Sequence, residues 1–227
     1  MTPADAPAPR SDWRALMKGA LAGWGLSLGE GEWALLGRYM DDLLEHNEKV
    51  NLTAAREPLE LARRHLLDGL APVVELRRRL GPSPRLADLG AGGGFVGFCV
   101  KIAWPEADMT LIESSSRKFS FLNLEALRLG LPGLHVRNER GGRAGPGKTY
   151  DAVLARAVAP LEDLLPEAFP LLKEGGRLMA YASAPAPESI DPVLARLKGS
   201  REGSHAYRLP GEDRERYLLF FRRAELL

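Results

Sequence analysis

The sequence predicts an α/β protein: a doubly wound, mostly parallel sheet of seven strands with a small helical extension at the N-terminus. Three observations carry this. From residue 85 onward, apolar runs alternate with helical patterns: strands near 85–89, 108–113, 133–138, 150–154 and 176–182, helices near 95–104, 115–130, 160–173 and 187–198. Such alternation implies right-handed crossovers and a parallel sheet with helices on both faces. The first strand then breaks into a glycine-rich loop, Gly90-Ala91-Gly92-Gly93-Gly94-Phe95-Val96-Gly97, before an apolar helix. Finally, two late segments, 204–209 and 216–222, have no helix between them, and Pro210-Gly211-Glu212-Asp213 fits a connection between antiparallel strands.

The chain ahead of the sheet reads as helices. Residues 1–10 carry three prolines and no apolar stretch, the composition of a loose tail rather than a signal peptide. Helices are predicted over 12–23 and 30–49. In the second, Trp33, Leu36, Tyr39, Met40, Leu43 and Leu44 recur at three and four, an amphipathic face turned to a core. Pro58 suits the first turn of a third helix with Leu59, Ala62, Leu66 and Leu70 along one side, stopping or bending at Pro72. A basic run, Arg77-Arg78-Arg79, and the punctuation Gly81-Pro82-Ser83-Pro84 precede the first strand. The expected organisation is a tail at 1–10, a helical extension at 11–80 and the sheet domain at 81–227.

Composition narrows the function classes. With 31 Lys and Arg against 30 Asp and Glu, no strong overall field draws the chain to nucleic acid or membrane. No apolar run approaches the ~20 residues of a membrane helix. The single cysteine, Cys99, lies in the apolar helix after the loop, so no disulfide framework is possible and a cytoplasmic location is expected. The histidines, His46, His65, His135 and His205, lack metal-ligand spacing, and no metal is expected.

The chemistry concentrates at the glycine loop. A strand that turns through glycines into a helix lets a ligand touch backbone and meet free N–H groups at the helix start. The second strand ends in Glu113, a carboxylate placed to accept hydrogen bonds from ribose hydroxyls. Together they indicate a nucleoside-containing cofactor. Read from Gly92, the loop satisfies G-x-G-x-x-G with Glu113 about 20 residues on, a dinucleotide pattern that glycine-rich loops meet by chance. Read from Asp88, it is Asp88-x-Gly90-x-Gly92-x-Gly94, which resembles motif I of the S-adenosylmethionine-dependent methyltransferases and is the preferred reading.

The region before the sheet is more specific. Val50-Asn51-Leu52-Thr53-Ala54-Ala55-Arg56-Glu57-Pro58, followed by Arg64-His65-Leu66-Leu67-Asp68-Gly69-Leu70, resembles the opening signature of the bacterial 16S rRNA methyltransferase G family, also called glucose-inhibited division protein B. The resemblance continues through the glycine loop, the basic helix start Ser116-Arg117-Lys118-Phe119 and Ala155-Arg156-Ala157, running in order from about residue 34 to about 183. It implies methyl transfer from S-adenosylmethionine to N7 of one guanine in 16S ribosomal RNA, free or in the small subunit, by a monomer. It also implies cofactor contacts at Gly90, Gly92, Phe95, the pair Gly141-Gly142, and Arg156, with Glu113 on the ribose. The chain departs from the family pattern at Val96, usually proline, at Gly141-Gly142, usually a small residue and Glu, and at Ala182-Ser183, usually Lys-Gly.

Guanine N7 carries an in-plane lone pair and no proton, so no general base, and no catalytic residue of that kind, is expected. Candidate substrate contacts are Asn51, Arg64, His65, Arg117 and Lys118. Each has a plainer reading: Asn51 and Thr53 as a turn or cap, His65 and Asp68 as the pin between extension and sheet, the basic residues as solvated surface. The alternatives are a methyltransferase of a small molecule or protein, and a member that binds cofactor or RNA without turnover.

Overall fold

The computed structural model describes residues 12–140 and 149–225. The expected tail and the pair Gly141-Gly142 lie outside the described residues. Among those described, seven strands form one sheet: β1 (Arg85–Leu89), β2 (Asp108–Ile112), β3 (Leu134–Arg137), β4 (Tyr150–Ala155), β5 (Leu172–Ala182), β6 (Gly199–Tyr207) and β7 (Arg216–Arg223). Their order is β3-β2-β1-β4-β5-β7-β6. Strands β1 to β5 pair in parallel, and β7 inserts antiparallel between β5 and β6.

This order sets the site. The chain runs outward from β1 to β2 and β3, then returns to lay β4 on the other flank of β1. The carboxyl ends of β1 and β4 therefore diverge into loops that leave a crevice, the usual ligand position in an open α/β sheet. Because β7 runs antiparallel beside β5, with Ala182 opposite Tyr217, the β6–β7 connection returns to that same end of the sheet.

Helices cover both faces. On one, α6 (Gly97–Ala103) and α7 (Ser116–Leu129) share a core with the N-terminal extension; on the other, α8 (Leu161–Ala168) and α9 (Asp191–Arg196) pack over β4, β5 and β7. The extension comprises α1 (Trp13–Trp24), α2 (Glu30–Val50), α3 (Pro58–Leu61), a π-helical turn (Ala62–Leu66), α4 (Leu67–Leu70) and α5 (Val73–Arg79). The periodic face of α2 is buried as expected: Trp33, Leu36, Tyr39, Met40 and Leu43 are each 2 % exposed or less. Asp12 caps α1 by accepting from the Ala15 N–H at 2.9 Å, and Gly25 closes it in the left-handed conformation. Pro72 ends the third helical run and becomes the N-cap of α5.

Several boundaries differ from expectation, each for a local reason. The helix expected at 160–173 ends at Ala168, where a 3-10 turn over Phe169–Leu171 feeds β5 from Leu172 rather than from 176. The last helix is one short piece, Asp191–Arg196, after a 3-10 turn, and β6 starts at Gly199 instead of 204. The buried side of the third helical run is Leu61, Ala62, Leu66, Leu67 and Leu70, with Leu59 only partly covered. The π-helical turn adds a residue there and rotates the face, which an even 3.6 period does not foresee.

Candidate functional site

The glycine loop is gripped from two sides. On the sheet side, Glu113, 7 % exposed, accepts the Gly92 N–H on Oε2 at 2.9 Å and the Ser115 N–H on Oε1 at 2.8 Å. Asp88, buried at the end of β1, accepts the Gly97 N–H at 2.8 Å. Burial drives its carboxyl up to about 7, against the opposing pull of that hydrogen bond and of Arg156. On the extension side, the Tyr39 hydroxyl donates to the Gly93 carbonyl at 2.7 Å, and Gly69 of α4 lies flat against the loop. A β-carbon on Gly69 would overlap the Phe95 carbonyl oxygen. Gly94, at φ +82°, leaves no room for a side chain beside Phe98.

A cleft of 620 Å³ opens at the carboxyl ends of β1 and β2. Gly90, Ile112, Ser114, Glu139, Val158 and Asp163 are among its lining residues. Glu139 Oε2 is buried there without a hydrogen-bond partner among the described residues. An orphaned carboxylate oxygen in a concave site is an acceptor awaiting a donor.

Beyond the loop, Phe95 joins a stacked cluster. The His65 ring lies on the Phe95 ring at 4.3 Å between centroids and 20° between planes, and the Arg156 guanidinium sits 4.9 Å from the Phe95 centroid. Arg156 Nη2 donates to His65 Nδ1 at 3.2 Å, so the ring proton is on Nε2, which donates to Thr53 Oγ1 at 2.6 Å. Burial, reinforced by Arg156, Arg64 and Arg216, lowers His65 to about 3 and keeps the imidazole neutral. Arg156 Nη1 donates to Asp68 Oδ2 at 2.9 Å. Burial works against the Arg156 charge, but Asp68, together with Tyr181 and Asp88, more than offsets it and the guanidinium stays protonated. Ala157, next in the chain, holds φ +55°, a left-handed conformation uncommon for a non-glycine residue and found where a site dictates the backbone.

The sequence-derived candidates therefore divide. Gly90 lines the cleft, Gly92 and Glu113 are hydrogen-bonded to each other in the loop beside it, and Phe95, His65 and Arg156 form the stacked cluster. Asn51 is an exposed helix cap, left-handed at φ 57° at the end of α2, with its N–H on the Asn47 carbonyl. Arg64 is exposed and ion-paired to Glu60 one turn away at 2.9 Å. Arg117 and Lys118 lie in the first turn of α7, the former exposed and the latter half-buried. His46, read as remote from any ligand set, shares α2 with Asp42 and Glu45, their ligand atoms within 4.8 Å of one another, but Asp42 is taken by an ion pair with Arg128.

Sequence reasoning missed five contributors. Asn47, 1 % exposed, builds the 52–55 loop: its Oδ1 accepts the Leu52 and Thr53 N–H groups, and its Nδ2 donates to the Thr53 and Ala55 carbonyls. Tyr39 looked like one more member of the apolar face. Tyr207 and Arg216 come from the C-terminal hairpin, which no motif singled out. Glu139 had a signal, a carboxylate two residues ahead of the glycine pair at the end of β3.

A parallel sheet with one antiparallel insertion, a glycine loop after β1 and a carboxylate after β2 define the methyltransferase fold. The magnesium protoporphyrin IX methyltransferase of Synechocystis, solved with bound SAM, superposes with a TM-score of 0.60 at 15% identity, over 82% of this chain and 97% of that one. Over residues 32–193 the chain matches the model of the family described as GidB, rRNA small subunit methyltransferase G, and it belongs to that family. Relatives bearing the name ribosomal RNA small subunit methyltransferase G include proteins of Streptococcus pneumoniae serotype 19F, 36% identical over 85% of this chain and 84% of the relative, and of Chloroflexus aggregans, 38% identical over 84% and 82%.

Proposed function

We propose that this protein transfers the methyl group of S-adenosylmethionine to N7 of a guanine in 16S ribosomal RNA, as a cytoplasmic monomer that needs no metal. Membership of the rRNA small subunit methyltransferase G family is the observation that carries this reading. The residues of the crevice fit the cofactor. Glycines bring bare backbone to its floor, Glu113 stands at the ribose position, and Glu139 Oε2 offers an unmatched acceptor to the adenine amino group. That acceptor substitutes for the side chain missing at Gly141-Gly142, so adenine recognition survives the departure from the family pattern. The guanidinium of Arg156, with N–H donors beyond those given to Asp68 and His65, suits the cofactor carboxylate.

When bound, the cofactor supplies an electrophilic methyl group on a sulfonium. The protein's part is placement. The N7 lone pair attacks directly, so no residue must remove a proton, and neutral His65 is consistent with a wall rather than a base. Among the described residues no helix is long and apolar enough to cross a membrane. RNA approach falls to basic residues, Arg63 and Arg64 on the π-helical turn and Arg117 and Lys118 on α7, acting on phosphates.

Small-subunit RNA from a strain lacking the protein, incubated with purified enzyme and labelled cofactor, is the test. Mass spectrometry should find one new N7-methylguanine in 16S RNA. An unlabelled 16S RNA would refute the substrate assignment, and no calorimetric binding of S-adenosylmethionine would refute the cofactor.

A further inference from the structure

Asp68 is 2 % exposed and surrounded by donors from four separate pieces of the sheet domain. Arg156, at the end of β4, donates to Oδ2 at 2.9 Å. Tyr207, at the end of β6, donates to Oδ1 at 2.5 Å, and Arg216, at the start of β7, donates to the same oxygen at 3.3 Å. Tyr181 of β5 donates to the Asp68 backbone carbonyl at 3.0 Å. The two arginines are not equal partners. Arg216 already has a carboxylate of its own, Glu212, bound through Nε at 3.0 Å and Nη2 at 2.8 Å. Arg156 makes its ion pair with Asp68, and its other hydrogen bond goes to neutral His65.

We propose that Asp68 is a positioning residue for the methyl transfer: the C-terminal hairpin fixes its carboxylate through Tyr207 and Arg216, and the fixed carboxylate aims Arg156 at the cofactor. The inference rests on the reading of Arg156 as a cofactor contact. Tyr207 and Arg216 occupy Oδ1, so the plane of the carboxylate is set before Arg156 engages Oδ2. The guanidinium is then clamped at one corner by Asp68, at a second by His65 and on its face by Phe95. Its remaining N–H groups keep a single direction, which lowers the ordering cost when an anionic group binds. This gives the hairpin, which carries no recognised motif, a defined part in cofactor binding.

Replacing Asp68 by asparagine tests the idea sharply. The amide oxygen must serve Tyr207 and Arg216, which turns the amide N–H₂ toward Arg156 and leaves the guanidinium facing another donor. Calorimetry on the full chain should show S-adenosylmethionine binding weakened about tenfold in D68N, the size of one buried coupling. The KM for RNA should not change. R156K should weaken the cofactor by a similar factor, and D68N/R156K should be no weaker than the worse single variant. Y207F, which keeps the charge pair and loses one anchor, should weaken binding severalfold.

Wild-type cofactor affinity in D68N, or effects of D68N and R156K that multiply fully, would overturn the proposal and leave Asp68 as a fastener that moves only the melting temperature. If D68N does not fold, Y207F decides, and unchanged cofactor affinity in it overturns the proposal equally. Absence of binding in the wild-type chain would instead refute the cofactor reading itself.

Discussion

The two walls that hold the glycine loop work by different physics. On the sheet side, Asp88 and Glu113 hold it with carboxyl acceptors, taking the N–H groups of Gly92, Gly97 and Ser115. On the extension side, α4 holds it by contact, with Gly69 against the Phe95 carbonyl, and α2 adds one hydroxyl, Tyr39, on Gly93. A hydrogen-bonded wall bends when altered, because donors find water or shift a few tenths of an ångström. A close-packed backbone contact has no such freedom. The extension wall should therefore fail all at once, and the sheet wall by degrees.

Gly69→Ala is the largest expected effect. Its methyl group would occupy the place of the Phe95 carbonyl oxygen, and neither backbone can retreat without moving α4 or the loop. Overpacking of this kind costs about 3 kcal/mol, a fall in melting temperature of roughly 10 °C for a chain of this size. Cofactor binding should disappear with it, because the displaced segment carries Phe95. A variant that melts and binds like wild type would show the contact to be soft.

Glu113→Ala comes next. It orphans the N–H groups of Gly92 and Ser115 and removes the ribose acceptor, so affinity for S-adenosylmethionine should fall by roughly 100-fold, two charge-assisted hydrogen bonds' worth. Because the same carboxylate supports the loop, loss of binding in this variant alone does not separate the two roles. Glu113→Gln separates them. Its single carbonyl oxygen can keep Gly92, so a variant that melts like wild type but still binds poorly assigns the loss to the ribose.

The carboxyl wall also titrates. The native state holds the Asp88 proton up to about pH 7, whereas the unfolded chain releases it near the ordinary carboxylate value of 3.8. Its stabilising contribution is therefore full below the unfolded value and is lost as pH rises through 7. Burial, with Asp42 beside it, likewise raises Glu125 of α7 to about 8 and adds a decline in the same direction. Buried neutral His65 acts oppositely, withdrawing stability as pH falls from 6.5 toward 3. Melting temperature should consequently drop between pH 6 and 8, and Asp88→Asn should flatten that drop by a few degrees while keeping an acceptor for Gly97. An unchanged slope in the variant would place the titration elsewhere.

How much of this was legible follows the same division. The sheet wall is local in sequence: a carboxylate ends β1, glycines follow at once, another carboxylate ends β2, and a strand period with a glycine break exposes all of it. The stack of His65 on Phe95 and the grip of Asp68 on Arg156 join segments 30 and 88 positions apart; helix spacing suggested His65 and Asp68 as a pin to the sheet, but it could not name their partners. The helix ends drifted where 3-10 turns compete with α-helix near Pro170 and Pro187. Tyr39 hid inside the amphipathic stripe because a period counts its ring as apolar and is blind to its hydroxyl. Asn51 was weighed between cap and site, and the left-handed backbone at its position shows the cap.

Tyr39→Phe is the smallest and most discriminating of these changes. It removes one hydrogen bond of 2.7 Å and keeps the ring packed edge-on against Phe98, with centroids 5.1 Å apart. The buried Gly93 carbonyl loses its donor, which costs about 1 kcal/mol and lowers the melting temperature by ~3 °C. The contact at Gly69 and the hydrogen bonds to Asp88 and Glu113 remain, so cofactor affinity should change by less than threefold. A loss as deep as that of Glu113→Ala would mean that the hydroxyl, rather than the close contact, fixes the extension side of the loop. The two walls would then differ in residue type but not in physics.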